Sequence, residues 1–468
     1  MPLRLSSRVA VEAPNELTVQ RQAAVAGGAP VWDLTDSNPT RHGLTGPAVM
    51  EVLARHLDEA ARYAPDPKGW GPAREALAAR FGGVADDYWL TASTSEAYSW
   101  LFTILVDPGD AVGVPVPGYP LVEPLARLAG LTTVPYPSFY VHPHGWELDL
   151  DAARAVVPKV RAMVVVNPNN PTGAYVPSEA SAALGEACAK AGIPLIADEV
   201  FYPFRLADPA TSAQDDGSGQ APSPVRTTPL SHHPAPSEPS FSRHPAHCDF
   251  AQHRLREQSE RESQDLLKRS SNTGQILRLR SATRRMTKEG RSAQHDGIAA
   301  AAASTGAVVI TLDGLSKLLA APQLKVGWLR LSGPPELTAP LADALDTVAD
   351  TFLSVNSPAA CALPELLTLA DASVARITQR CSTNLAALQN LGDGFRVRHT
   401  EGGWTALVDV PRVMDDDALA RRLLEHGLTA HPGWFYDVGD AGCIAVSLLP
   451  DPEAFEESLT VMAAALSR

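Results

Sequence analysis

The sequence predicts an α/β fold in which helices flank a mostly parallel sheet. Short, continuous apolar runs, typical of strands buried on both faces, occur at residues 111–116, 162–166, 195–197 and 308–312. Helical stretches lie between them; residues 71–82, for example, have proline in the first turn and glycine just after the end. Alternating strands and helices indicate a parallel sheet covered by helices.

Length and hydropathy indicate the broad class. The chain has 468 residues, long enough for two domains, and its 45% hydrophobic content is ordinary for a globular protein. No apolar run approaches the roughly 18 residues needed to span a bilayer, and residues 1–6 lack the apolar core of a signal peptide. We therefore expect a cytoplasmic protein with no membrane partner.

Charge and cysteine spacing argue against two further classes. The formal net charge of −14 argues against general affinity for nucleic acid, so no nucleic-acid partner is expected. The five cysteines lack the paired spacing of a zinc site or a disulfide framework. Reduced, buried thiols are the simpler interpretation, and no metal is expected.

Residues 207–303 differ in composition from the rest of the chain. Serine, proline, histidine, arginine and glutamine dominate, and such a segment cannot bury enough apolar surface to order itself. We predict a long, disordered, low-complexity insert. Its later part is basic from Lys268 to Arg291, with Glu289 as the single acid. A solvated charge run is the favoured interpretation; a patch for an acidic partner and a flawed gene model are the alternatives.

Three polar motifs follow three successive predicted strands. Residues 167–173 read Asn-Pro-Asn-Asn-Pro-Thr-Gly, Asp198 ends the next apolar run, and Lys317 follows the run after that. A turn at the carboxyl end of a strand presents its amide to the crevice in which α/β proteins bind ligands. An amide, a carboxylate and a lysine in this order are what a pyridoxal phosphate site requires.

In order and spacing, these motifs resemble those of the fold-type I pyridoxal-phosphate-dependent aminotransferases, the class I/II group. The resemblance runs from Asp33 to Gly433, interrupted by the insert. It implies a large domain with a mostly parallel seven-stranded sheet, and a smaller α/β domain built from both chain ends. The implied boundaries are 1–45 for an N-terminal segment joining the small domain, 46–206 and 304–335 for the large domain, 207–303 for the insert, and 336–468 for the C-terminal small domain.

The resemblance assigns roles around the cofactor ring. Lys317 forms the Schiff base and later moves the substrate's α-proton as general base and acid. Asp198 keeps the pyridine nitrogen protonated, which also gives a buried carboxylate a partner. Asn170 donates to the phenolic oxygen, and Tyr119 stacks on the ring. The structural alternatives are a helix-capping or surface acid at 198, a simple turn at 170 and a core tyrosine at 119.

The cofactor phosphate needs backbone amides at a helix N-terminus and a cation. By resemblance, the groups near it are Ser93, Thr94, Ser95, Ser316 and Lys325. Ser93 is alternatively only a helix-capping residue. Tyr63 matches a tyrosine that family dimers lend to the phosphate of the neighbouring subunit. This match implies a homodimer with a shared active site.

The sequence also departs from the family pattern. Gly314 stands where many relatives have a phosphate-binding serine, and Phe201 stands where many have a tyrosine for the phenolic oxygen. Ala445 replaces the arginine that usually clamps the substrate's α-carboxylate. Arg41, in the N-terminal segment that covers the substrate in relatives, is the candidate substitute, with a surface arginine as the alternative. Trp404 is expected to line a pocket for an apolar or small side chain.

The resemblance implies an aminotransferase that moves an amino group between an amino acid and a 2-keto acid. A β-lyase or decarboxylase with the same cofactor is one alternative, because fold and cofactor do not decide the reaction. A non-catalytic regulatory protein that binds pyridoxal phosphate is another. Retention of Lys317, Asp198 and Asn170 together argues against the second alternative.

Overall fold

The computed structural model describes residues 16–27, 31–206, 297–392, 394–410, 415–439 and 442–466, with residues 3, 5–9 and 14 near the amino end. The helices of this part of the chain are α1 (Glu16–Ala26), α2 (Pro47–Arg55), α3 (Leu57–Ala60), α4 (Gly71–Phe81), α5 (Thr94–Leu105), α6 (Val122–Ala129), α7 (Leu150–Val156), α8 (Ser178–Ala191), α9 (Ile298–Ala303), α10 (Leu315–Leu318), α11 (Pro335–Phe352), α12 (Ser357–Leu367), α13 (Ala370–Gln389), α14 (Asp416–Glu425) and α15 (Pro452–Leu466). The strands are β1 (Trp32–Asp33), β2 (Tyr88–Thr91), β3 (Ala111–Val116), β4 (Thr132–Val141), β5 (Gly145–Leu148), β6 (Ala162–Val166), β7 (Leu195–Asp198), β8 (Val309–Gly314), β9 (Gly327–Ser332), β10 (Arg396–Val397), β11 (Thr405–Asp409), β12 (Leu428–Thr429), β13 (His431–Pro432) and β14 (Cys443–Ser447).

A mostly parallel sheet forms the larger part of the molecule. Its strand order is β2-β9-β8-β7-β6-β3-β4-β5. Strands β4, β3, β6, β7 and β8 run parallel, whereas β9 and β5 run antiparallel to their neighbours. The predicted α/β class is therefore confirmed, and the four apolar runs of the sequence correspond to β3, β6, β7 and β8.

The sheet has eight strands, one more than the seven expected. Strand β4 has 10 residues and β3 has 6, so the pairing of β4 with β3 ends at Pro137. The remainder of β4, from Ser138 to Val141, pairs antiparallel with β5 instead. The extra strand is thus a hairpin that uses the overhanging end of β4.

Apolar side chains cover both faces of the sheet because successive residues of a strand point to opposite sides. On one face, Ile196 of β7 belongs to a buried cluster with Leu101 of α5 and Leu345 of α11. On the other face, Ala197 packs in a second cluster with Leu184 of α8. Burial on both faces explains why these strands are continuously apolar in sequence.

The predicted insert is shorter at its carboxyl end than expected. Residues 298–303, which we placed in a disordered segment, form α9 and pack on α8. The cause is the apolar sequence of α9: Ala302 is fully buried against Gly185, where an added Cβ would lie 2.9 Å from the Ala302 Cβ. The remaining insert, residues 207–296, lies outside the described residues.

A second sheet is built from later parts of the chain. Its antiparallel order is β10-β11-β14-β13, and the short strand β1 pairs in parallel with β12 beside it. Helices α13, α14 and α15 pack together, and a buried cluster joins them to the sheet through Ile377, Leu423, Phe455 and Val446. Within the described ranges, no helix is both long and apolar enough to cross a membrane.

Deleting residues 211–294 and joining the ends should leave the protein folded and able to bind added pyridoxal phosphate, with a melting temperature within a few degrees of the parent. Closure entropy grows only logarithmically with loop length, and the described elements on both sides contain the core. The measurement is thermal unfolding with cofactor absorbance. Loss of soluble, cofactor-loaded protein would contradict the prediction.

Candidate active site

Three neighbouring strands carry the motif residues to one edge of the sheet. In the order β8, β7, β6, Leu312 pairs with Asp198 and Asp198 pairs with Val166. Asp198 is the last residue of β7, Lys317 lies in α10 directly after β8, and the Asn-Pro turn follows β6. Because parallel strands end at the same edge, the register brings the three motifs together.

The Asp198 carboxylate is buried, with only 7% of the residue exposed. Its Oδ2 accepts a hydrogen bond from Tyr98 Oη at 3.1 Å, and its Oδ1 accepts one from the Val200 amide at 3.3 Å. Burial raises the pKa of Asp198 to about 6, against the opposing effects of these two donors and of the Lys317 charge. The carboxyl group therefore remains mostly ionised at pH 7.

The Lys317 amine lies beside two aromatic rings. Its Nζ is 4.9 Å from the ring centroid of Trp404 and 5.3 Å from that of Phe201. Burial lowers the pKa of Lys317 to about 8, although the Asp198 charge acts in the opposite direction. Among the described residues, Nζ makes neither a hydrogen bond nor an ion pair. A substantial fraction of this amine is neutral near pH 7 to 8 and can attack a carbonyl carbon.

The two adjacent asparagines of the turn differ in their contacts. Asn169 Nδ2 donates to the Pro117 carbonyl at 3.0 Å, and Asn169 Oδ1 accepts from the Thr172 hydroxyl at 2.9 Å. The Asn170 side chain is partly exposed and has no hydrogen-bond partner in the described parts of the chain. Asn169 therefore shapes the turn and ties it to the loop before Tyr119, which leaves the Asn170 amide available to a ligand.

The first turn of α5 provides unpaired backbone amides. Ser93 is the N-cap residue, and its Oγ accepts from the Glu96 amide at 3.2 Å, so the expected capping contact exists. The amides of Thr94 and Ser95 have no acceptor among the described residues. The amino terminus of this 12-residue helix can thus bind an anion.

Strand β9 begins against this helix terminus. A Cβ added to Gly327 would lie 3.1 Å from the Ser93 carbonyl carbon, so the backbones are in close contact. Lys325, two residues earlier, is exposed and has a positive φ of 52°. Ser316 is partly exposed beside Lys317. The start of β9 thus lies against the amino end of α5, and Lys325 precedes it by two residues in the chain.

Gly314 lies close to the backbone of the neighbouring strand. A Cβ added there would be 3.0 Å from the Val326 carbonyl oxygen and 3.1 Å from the Gly327 Cα, so the backbone around β9 would have to shift by a few tenths of an ångström to admit a side chain. This close approach favours glycine at position 314.

Tyr119 and Tyr63, two of the expected cofactor residues, are more exposed than Asp198. Tyr119 is 39% exposed, and its ring centroid is 6.3 Å from that of Tyr436. Tyr63 is 78% exposed and has no hydrogen bond or ring contact with another described residue. Within one chain, Tyr63 is not brought into contact with the other candidate residues.

The expected substrate residues lie in different surroundings. Trp404 is buried, and its ring contacts Phe201 edge to face at 5.3 Å, close to Lys317. Arg41 is a surface residue whose guanidinium pairs with Asp36 at 3.3 Å, with 68% of the arginine side chain exposed. Ala445 is 1% exposed and packs in an apolar cluster with residues that include Phe435. An arginine at 445 would have to enter this cluster.

Two functional neighbours of Asp198 escaped the sequence analysis. Tyr98, on α5, donates to its carboxylate from 100 residues away. Glu199 accepts from the Ile298 amide at 2.8 Å and from Asn167 Nδ2 at 3.2 Å, so it secures the start of α9. The only signal for Tyr98 was a hydroxyl on an otherwise apolar helix face, because such a group needs a partner when buried.

Part of this chain is similar in sequence to known aminotransferases. Residues 31–222 match the family model for aminotransferase class I and II. The alanine aminotransferase of Mycobacterium bovis is 33% identical over 187 residues, which cover 38% of this chain and 42% of that protein. The glutamate-pyruvate aminotransferase AlaA of Escherichia coli is 30% identical over 182 residues, 37% of this chain and 44% of that protein. The chain thus matches less than half of the length of these curated relatives.

Solved structures match along nearly the whole chain. An alanine aminotransferase from Pyrococcus furiosus superposes with a TM-score of 0.73 at 20% identity, covering 99% of this chain and 100% of the other. An aspartate aminotransferase from Thermus thermophilus with maleate gives 0.69 at 21% identity, covering 99% and 100%. These likenesses establish the fold. The family-model match covers the segment that includes the Asn-Pro turn and Asp198, so this part of the chain is similar to the class I and II aminotransferases.

Proposed function

We propose that this protein is a pyridoxal-phosphate-dependent aminotransferase that moves an amino group between an amino acid and a 2-keto acid. The observation that carries the proposal is the pair formed by Asp198, a buried carboxylate at the end of β7, and Lys317, a half-buried lysine just after the adjacent strand β8. Burial raises the pKa of Asp198 and lowers that of Lys317, so both values lie closer to pH 7 than those of the free groups. Perturbed pKa values of this kind are typical of catalytic groups. The relatives, which are named as aminotransferases, support the same activity.

The donor set fits this cofactor. Asp198 would hold the protonated ring nitrogen, Asn170 would donate to the phenolic oxygen, and Lys317 would form the covalent bond to the aldehyde carbon. The free amides of Thr94 and Ser95 would bind the phosphate. When bound, pyridoxal phosphate acts as an electron sink that stabilises negative charge at the substrate's α-carbon.

The protein's own groups would position the substrate and move its proton. Once the substrate's amino group has displaced it from the cofactor, the free Lys317 Nζ would take the proton from the substrate's Cα, since a pKa of about 8 makes this amine both a base and an acid near neutral pH. Trp404 and Phe201 would exclude water on one side of the amine. Asp198 would remain ionised and keep the ring nitrogen protonated throughout.

We further propose a homodimer with a shared active site. Tyr63 is exposed and does not contact the other candidate residues of its own chain, so its ring is available to the phosphate site of a second copy. Met50 of α2 and Leu57 of α3, each 51% exposed, are additional apolar groups on the same stretch of chain. Burial of such groups would contribute to dimer stability.

The division of the chain into domains is also a proposal. Residues 46–206 and 304–335 would form the cofactor-binding domain, and residues 1–45 and 336–468 the smaller one. The buried cluster of the second sheet, drawn mainly from residues 377–466, supports the smaller domain, whereas Leu345 of α11 packs on the main sheet.

A cytoplasmic location is proposed as well. Buried thiols outside disulfides, found at all four described cysteines, are typical of proteins in a reducing compartment.

Borohydride treatment of the protein loaded with pyridoxal phosphate should bleach its yellow colour and fix the cofactor on Lys317. The reason is that this amine is partly neutral at working pH and has no described hydrogen-bond partner. Mass spectrometry of the digested protein would locate the label. Lys317→Arg should give no label, whereas Lys325→Gln should keep it. A label on any other lysine would disprove the assignment.

Asp198→Asn should lower turnover by at least about 10²-fold, because the neutral amide cannot hold a protonated ring nitrogen by charge. Glu199→Gln is the matched control. It keeps an oxygen that can accept from the Ile298 amide, so we expect activity within a few-fold of the parent. Steady-state kinetics on both variants is the measurement. Equal losses would mean that the wrong carboxylate has been assigned.

Arg41→Ala should raise the KM for the amino acid by about 10- to 10²-fold, the effect of losing a charge-assisted contact to a carboxylate. The exposed pair with Asp36 is weak, so Arg41 can leave it for a substrate. Asp36→Asn, which frees Arg41, should leave KM equal or lower.

Kinetics for this test should record both keto acid and ammonia, because ammonia separates elimination from transfer. Unchanged KM in Arg41→Ala would assign carboxylate recognition to other groups. Ammonia released together with the keto acid would favour the β-lyase alternative, whereas transfer gives keto acid without free ammonia.

A further inference from the structure

A tyrosine hydroxyl lies against the carboxylate that the proposed mechanism uses. Tyr98 Oη donates to Asp198 Oδ2 at 3.1 Å, and neither residue is more than 7% exposed. Tyr98 stands in the second turn of α5, whose first turn provides the free amides. One helix therefore contacts the site at two places, through backbone amides at its start and through this hydroxyl.

The charges around Asp198 show why this contact matters. Lys317 is the one described cation that acts on it directly, and the Val200 amide is its other hydrogen-bond donor. Glu199 and Asp313 lie near Asp198, and the Asp198 charge raises the pKa of each. Burial opposes ionisation of Asp198. Two donors and one amine support it.

We propose that Tyr98 is a positioning residue that keeps Asp198 ionised and aims its carboxylate at the protonated ring nitrogen of the cofactor. The inference rests on the proposed function for the identity of that nitrogen. The hydroxyl fixes Oδ2, and the Val200 amide fixes Oδ1, so the plane of the carboxylate is set by two donors from different elements. A carboxylate oxygen can accept more than one hydrogen bond, so both oxygens still have capacity for the ligand.

A second buried tyrosine provides the comparison. Tyr136 on β4 is 1% exposed, and its hydroxyl donates to the Val164 carbonyl rather than to a carboxylate. It interacts electrostatically with Tyr98 but has no contact with Asp198 among the described residues. Removing either hydroxyl is the same chemical change in a buried setting. Only one of the two changes should affect Asp198.

The test measures the affinity of the apo-protein for pyridoxal phosphate across a range of pH. Affinity for pyridoxal phosphate that depends on the Asp198 charge is present above the pKa of Asp198 and is lost as the pH falls through that value. A hydrogen bond to a charged group changes the ionisation constant of that group by about 10- to 10²-fold. Tyr98→Phe should therefore shift the pH at which cofactor affinity is lost about one to two units higher. At pH 7 the affinity should fall by about two- to tenfold and should recover at alkaline pH.

Tyr136→Phe is the control and should leave the pH profile in place while lowering thermal stability to a similar extent. The cofactor's own ionisable groups titrate alike with every variant, so a comparison between variants cancels their effect. An identical pH profile in Tyr98→Phe and the parent, with cofactor bound by both, would overturn the inference and leave the proposed function standing. Failure of the parent to bind pyridoxal phosphate at all would instead refute the proposed function.

A second measurement needs neither the cofactor nor the phenylalanine variant. Infrared difference spectra of the apo-protein follow protonation of the Asp198 carboxyl, and Asp198→Asn identifies its band. We expect a midpoint near 6 in the parent. A midpoint of about 8 to 9, the range of buried carboxyls without such support, would show that Tyr98 does not hold the group ionised.

Discussion

The site depends on keeping one carboxylate charged in the interior of the protein. Burial alone would neutralise Asp198, and the opposing contributions come from Tyr98, Val200 and Lys317. These groups belong to α5, to the loop after β7 and to α10. No single segment contains the site, so its electrostatics exist only once the sheet has assembled in register. The fold is therefore the means by which a buried charge becomes tolerable.

The main sheet was predictable from sequence because strands buried on both faces give continuous apolar runs. The hairpin strand β5 was not, since it exists only because β4 extends beyond β3. Helix α9 was also missed. Its alanine-rich sequence lies next to a long polar stretch, and the composition averaged over the whole segment did not indicate a helix. Ala302 of this helix packs against Gly185, which has no side chain to obstruct it. In both cases a neighbour distant in sequence decides the local structure.

The candidate site was partly predictable for a similar reason. Asn170, Asp198 and Lys317 follow recognisable strands, and the register does bring their segments to one edge of the sheet. Tyr98 could not be identified, because its role comes from a single contact across 100 residues and leaves no periodic pattern. The absence of serine at 314 looked like a lost phosphate contact in sequence. In three dimensions it reflects the close approach of β8 and β9.

The hydrogen bond from the Ile298 amide to Glu199 joins the two segments of the chain that flank residues 207–296. Glu199 belongs to the polypeptide before that segment, and α9 to the polypeptide after it. The candidate site is divided in the same way, with Asp198 in the first part and Lys317 in the second. Covalent continuity is thus not what holds the two halves of the site together. Two separately produced polypeptides, ending at 206 and beginning at 297, would each carry part of the candidate site, and only their association would assemble it.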